Sequence, residues 1–211
     1  MEVVYALDEK YKTIDKDILG LYGDITYLDD KLDVYGISYK DNWTVKRLLN
    51  GMHLSLNNRI KDIFNYLDLD IKYLDCKIGD LSHTVFKYVM LANLLLLNIR
   101  FIILDHFDAG LTYKAQKKLI GVIHKLKDDG FNILVISNNF VFLSKATDRI
   151  TIIDDNEEVF DGTPDELLKN RKYIKNTRII NFIEEANKNK AKLKYTFDRN
   201  ELLEDIFRSV G

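Results

Sequence analysis

The chain has 211 residues, of which 46% are hydrophobic and 30% charged, and its formal net charge is −2. These values suit a single globular domain with room for a small appendage. They give no electrostatic case for binding nucleic acid or an anionic membrane, the more so because acidic and basic residues are interleaved. The single cysteine, Cys76, excludes an intramolecular disulfide framework and reads as a half-buried structural thiol in a reducing cytosol.

The apolar run at residues 89–97 is about half of the ~20 residues that cross a bilayer. Glu2, Asp8 and Glu9 stand where a secretory signal would carry positive charge. The expected location is therefore cytoplasmic, at most peripheral at the inner face of a membrane.

In chain order, short strands are expected at residues 3–7, 24–28 and 34–38. Residues 48–66 predict a helix, with Ile60, Ile63, Phe64 and Leu67 at helical spacing. Ser82 is suited to cap a helix over residues 83–97. Phe101-Ile102-Ile103-Leu104 is fully apolar, as a buried parallel strand is. A helix over residues 114–128 would place Leu119, Val122, Ile123 and Leu126 on one face and stop at Gly130. Residues 132–137 and 150–154 predict two further strands. Thr163-Pro164-Asp165-Glu166 spells a helix start, with threonine as cap, proline first and glutamate third. In the tail, Ile179, Phe182, Ile183 and Ala186 form one apolar helix face. Asp198 and Glu201 have cap spacing for a last helix carrying Leu202, Leu203, Ile206 and Phe207. Strands alternating with such helices imply a largely parallel sheet flanked by helices, with ligands at the carboxyl ends of the strands.

From residue 81 to 168 the sequence resembles the catalytic half of ATP-binding-cassette (ABC) ATPases. Leu81-Ser82-His83-Thr84-Val85 stands where that family has Leu-Ser-Gly-Gly-Gln, and residues 101–105 resemble the Walker B strand ending in Asp105. Asp108-Ala109-Gly110-Leu111 is similar to the D-loop region, and residues 133–138 to the strand that ends in the switch histidine. Asp148-Arg149-Ile150 and Gly162-Thr163-Pro164-Asp165-Glu166-Leu167 match further family segments, and Gly23-Asp24-Ile25 and Trp43-Thr44-Val45 do so more loosely. A helical tail after the Gly-Thr-Pro segment resembles the ATPases of energy-coupling factor importers, where it supports pairing of two ATPase subunits. The fold class implied is α/β, a truncated P-loop-NTPase-like core at residues 1–168 with a small helical tail at 169–211.

The departures from the family pattern decide the expected function. A P-loop needs Gly-Lys-Ser/Thr to wrap and reach the phosphates, yet none of the 10 glycines precedes a lysine. The stretch from Met1 to Gly23 is also too short for the family's strand pair, P-loop and helix, so residues 1–32 are expected to rebuild a shortened sheet edge and the protein to oligomerise. His83 and Thr84 replace the two signature glycines that allow close backbone approach to a partner's nucleotide, leaving Ser82 vestigial. The water-polarising glutamate is His106, the switch histidine is Asn138, the D-loop aspartate position holds Thr112, and the only glutamine, Gln116, lies inside a helix. Asp105 is a vestigial magnesium ligand, better read as a strand-end aspartate bonding its neighbourhood. Tyr11, His53 and His124 read as ordinary packed or surface residues, and no metal-ligand spacing is evident.

No catalytic residue, cofactor or metal is expected. The reading is a pseudo-ATPase whose partner is an ABC-type ATPase, a transporter subunit or a second copy. The alternatives are residual ATP binding through an altered site, or a stand-alone protein-binding module that reuses the fold.

Overall fold

Helix caps and apolar runs set the order of elements, as seen in the computed structural model, which describes residues 5–7, 25–28, 39–50, 57–97, 101–154, 157–174 and 177–210. The described elements are β1 (Tyr5–Leu7), β2 (Ile25–Leu28), α1 (Val45–Asn50), α2 (Asn57–Tyr66), α3 (His83–Leu96), β3 (Phe101–Asp105), α4 (Tyr113–Asp128) and β4 (Asn132–Ile136). They continue with α5 (Phe140–Ala146), β5 (Ile150–Asp154), β6 (Glu157–Gly162), α6 (Pro164–Lys169), α7 (Arg178–Lys188) and α8 (Arg199–Val210). Two compact units result, Thr13–Leu134 and Met1–Lys12 with Val135–Gly211. The expected strand at residues 34–38, with Tyr11 and His53, lies outside the described residues.

In the unit Thr13–Leu134, β2 and β3 run parallel, with Ile25 opposite Phe101 and Leu28 opposite Leu104. Ile102, Ile103 and Leu104 are buried, as a strand covered on both faces requires. Helix α3 is buried along its whole length from Lys87 to Leu96, so it is a core helix and not an amphipathic surface one. Ser82 Oγ accepts the Val85 N–H at 3.3 Å and caps it as expected. Of the helix expected at residues 48–66, residues 51–56 lie outside the described residues. Its described parts are α1 and α2, which both pack on α3.

Helix α4 buries Leu119, Val122, Ile123 and Leu126, the predicted face, together with Ala115. It ends in a Schellman turn: Gly130, at φ 81°, donates to Lys127 O, and the Phe131 N–H reaches Leu126 O. Polar contacts tie α2 to α4. Tyr66 Oη donates to Asp129 at 2.7 Å, and the Lys125 ammonium lies 3.6 Å from the Tyr66 ring centre. Burial, followed by the Asp129 hydrogen bond, pushes the Tyr66 phenol well above its ordinary value.

In the other unit, β1 pairs in parallel with β5, Tyr5 opposite Thr151, and also meets Ile136 of β4. Strand β6, which periodicity alone does not reveal, returns antiparallel to β5 with Ile150 opposite Gly162. Arg149 and the Asp161 carboxylate form a two-pronged ion pair, and Thr151 Oγ1 donates to the same carboxylate at 3.1 Å. The guanidinium beside Asp161 lowers its pKa. Next comes the predicted capping box: Thr163 Oγ1 accepts the Glu166 N–H at 3.2 Å, and Glu166 Oε2 accepts the Thr163 N–H at 2.7 Å.

The tail's apolar faces divide. Ile183, Leu193 and Leu202 form a small core, with Ile179, Ala186, Ala191, Tyr195 and Ile206 packed around it. Phe182, Leu203 and Phe207, expected on those same faces, point outward and are 52%, 42% and 77% exposed. Asp198 Oδ1 caps α8 through the Asn200 and Glu201 N–H groups. Glu201 does not complete a capping box, because its carboxylate accepts the Thr196 hydroxyl at 2.6 Å instead.

Candidate functional site

The carboxyl end of β3 leads into a loop held from behind by two long side chains. Asp105 Oδ1 lies 2.6 Å from His106 Nδ1. An ionised carboxylate can only accept, so Nδ1 carries the proton of this pair and Nε2 is the ring's other nitrogen. His106 sits at φ 47°, in the left-handed region that most side chains avoid. Behind it, the wholly buried Lys87 of α3 donates from Nζ to Phe107 O at 2.9 Å and Ala109 O at 2.7 Å. Gln116 of α4 donates from Nε2 to Asp108 O at 3.3 Å and Leu111 O at 3.4 Å. The loop also closes on itself, Ala109 N–H to His106 O and Leu111 N–H to Asp108 O. The carbonyls of His106, Phe107, Asp108, Ala109 and Leu111 are thereby satisfied inside the protein, as buried backbone demands.

Gly110 stands at the outer edge of this loop at φ 71°, and a Cβ there would lie 3.4 Å from the His83 ring. His83 is the exposed first residue of α3, so its imidazole covers the loop at the place where the glycine leaves room. Thr112 accepts the Ala115 N–H at 3.3 Å and caps α4. In the other unit, β4 runs into buried Ser137, exposed Asn138 and half-buried Asn139. Ser137 Oγ accepts the Asn139 N–H at 3.0 Å, and Asn139 Oδ1 caps α5 through Phe142 N–H at 3.1 Å.

Known proteins with similar sequences are ATP-binding proteins of ABC transporters. The galactose/methyl galactoside import ATP-binding protein MglA of Mannheimia succiniciproducens is 32% identical over 116 residues, 54% of this chain and 23% of that protein. The zinc import ATP-binding protein ZnuC of Ehrlichia chaffeensis is 28% identical over 136 residues, 63% of this chain and 55% of that protein. The chain thus spans less than two thirds of the length of either relative. No protein-family model matches it. The structure of cbiO1 from Clostridium perfringens, part of the ABC transporter complex cbiONQ, superposes with a TM-score of 0.64 at 15% identity, covering 88% of this chain and 87% of that one. The fold is that of an ABC ATPase domain.

On the ABC fold each predicted position acquires a place. Ser82, His83 and Thr84 begin α3, Asp105 and His106 end β3, Thr112 begins α4, and Asn138 follows β4. The structure brings His83 to Gly110 and Asp105 to His106. Magnesium and ATP are the groups this fold implies. Among the described residues no cluster of three or more His, Cys, Asp or Glu side chains is arranged for a metal. Asp105 Oδ1 faces His106 Nδ1 at 2.6 Å, so a cation at that oxygen would compete with the imidazole for it. Among the described residues no helix is long and apolar enough to cross a membrane.

Two residues escaped the reading of the sequence. Lys87 carried a signal, being the one charged residue within the apolar stretch from Val85 to Leu97. A charge buried in a core helix must find partners, and here they are loop carbonyls. Gln116, set aside as a helix glutamine, turns out to hold the same loop from the other side.

Proposed function

We propose that the chain is a degenerate member of the ABC ATPase family, a pseudo-ATPase that acts by binding an ABC-type ATPase or transporter subunit. The observation that carries this reading is the state of the loop after β3. The position of the catalytic base holds His106, paired to Asp105 at 2.6 Å, and His83 covers Gly110 where the family's signature glycines leave space for a partner's nucleotide. The sequence supports the same reading, because no glycine precedes a lysine and Asn138 takes the place of the switch histidine. Side chains that meet phosphate, metal and water have changed, while caps, strands and core remain mutually consistent. Selection for folding without selection for hydrolysis leaves that pattern.

The helical tail that follows the Gly-Thr-Pro-Asp-Glu-Leu segment favours an energy-coupling factor type of relative, and a cytoplasmic location beneath a transporter follows from it. The outward Phe182, Leu203 and Phe207 support a role in protein contact. Affinity purification from native lysate is expected to recover an ABC ATPase or a transporter membrane subunit in stoichiometric amount. Recovery of the chain with no ABC component would reject the scaffold role.

A further inference from the structure

The turn between α7 and α8 carries Lys188, Lys190, Lys192 and Lys194 at alternate positions, with no acidic residue from 188 to 194. All four are exposed, whereas Ala191 and Leu193 between them turn into the tail core. Of these four, only Lys188 has a carboxylate partner among the described residues, Glu185 at 3.4 Å. The backbone is fixed. Asn187 grips Leu193 twice, accepting its N–H at 2.6 Å and donating to its carbonyl at 2.9 Å, and Asp205 Oδ2 accepts the Lys194 N–H at 2.6 Å.

Two of these lysines stand at left-handed backbone positions, Lys190 at φ 70° and Lys192 at φ 57°. Lys190 closes a Schellman turn, with its own N–H to Asn187 O and the Ala191 N–H to Ala186 O. Helix α4 ends in the same motif with Gly130 in the same place. Glycine is the strain-free residue there, and an exposed lysine side chain gains no packing in exchange. Strain that the fold does not use is a reason to look for function in the side chain that brings it.

We propose that this turn is a preformed cationic docking element that receives an acidic segment of a protein partner. A fixed backbone with charges at set spacing suits a discrete row of carboxylates. A lipid surface is the poorer match, because the exposed apolar residues Leu203 and Phe207 each lie two residues from Asp205. At 100° per residue that puts both about 160° around α8 from the side the turn is bonded to. The net charge of −2 also opposes adsorption to an anionic membrane. The inference does not depend on whether the ATPase chemistry is lost.

The test is fluorescence anisotropy of a labelled decaglutamate peptide with the full chain, and with the double variant Lys190→Gly/Lys192→Gly, whose backbone keeps the turn. Wild type should bind the peptide saturably and lose it in salt. The variant should melt at or above the wild-type temperature yet bind about tenfold more weakly, roughly the worth of two exposed ion pairs. Equal binding by both proteins, or no binding by wild type, overturns the proposal. So does tighter binding to phosphatidylglycerol vesicles or to duplex DNA than to the peptide. A variant that melts lower overturns the strain argument on which it stands.

Discussion

Gly162→Ala tests how the hairpin β5–β6 is joined to α6. A Cβ at Gly162 would lie 2.7 Å from Glu166 Oε2 and 2.9 Å from Phe160 Cζ. The glutamate end is normally free to swing, but here it holds the Thr163 N–H at 2.7 Å and the Thr163 hydroxyl at 3.1 Å. To admit the methyl group, the carboxylate must leave the cap and Phe160 must turn off its rotamer beside Tyr173. Losing the cap contact costs about 1 kcal/mol, and an off-rotamer ring costs another ~1 kcal/mol. The lower entropy of the unfolded alanine chain returns roughly 0.4–1 kcal/mol. The expected net destabilisation is about 1–2 kcal/mol, read as a fall in the urea midpoint at unchanged slope. A double-mutant cycle makes the reasoning specific. With Glu166→Ala also present the clash with Oε2 is gone, so the two changes should cost about 1 kcal/mol less together than the sum of each alone. Strict additivity would refute the steric account of this glycine.

The remaining predictions concern burial and charge. Asn93 is wholly buried in α3, and both its amide atoms lack a hydrogen-bond partner among the described residues, so Asn93→Leu should stabilise the protein by about 1–2 kcal/mol in chemical denaturation, the worth of an unpaired buried amide less some overpacking. Asp198 is held below its ordinary pKa first by the Lys145 ammonium at 2.6 Å and then by the α8 N–H groups. A depressed carboxylate contributes stability above its unfolded pKa of about 3.9 and loses it as pH falls through the lower folded value. Asp198→Asn should therefore lower the melting temperature at neutral pH and flatten its decline below about pH 4, whereas an unchanged acid limb would count against the pair.

Much of the fold was legible because caps and apolar faces are local. Ser82 and Thr163 each cap the helix their spacing announces, and Leu119, Val122, Ile123 and Leu126 are all inside. What was not legible depends on distant partners. Strand β6 has its side of the ladder determined by β5, and α5 is capped by Asn139, whose capping oxygen is invisible as a signal beside two other polar residues, Ser137 and Asn138. The tail shows the limit most clearly. Helical spacing groups Ile183 with Phe182 and Leu202 with Leu203, but the small core formed with Leu193 takes only one of each pair inward. At the site, the identities at His83, Asp105, His106 and Asn138 come directly from the sequence. That Lys87 and Gln116 grip the loop beside them does not, since each bond joins residues brought together by folding.

Calorimetric titration of the purified chain with a non-hydrolysable ATP analogue and Mg²⁺ tests the central claim most directly. The loop occupied by its own histidines predicts no saturable binding. Tight, magnesium-dependent binding would contradict the pseudo-ATPase account and return the protein to the working ATPases its fold resembles.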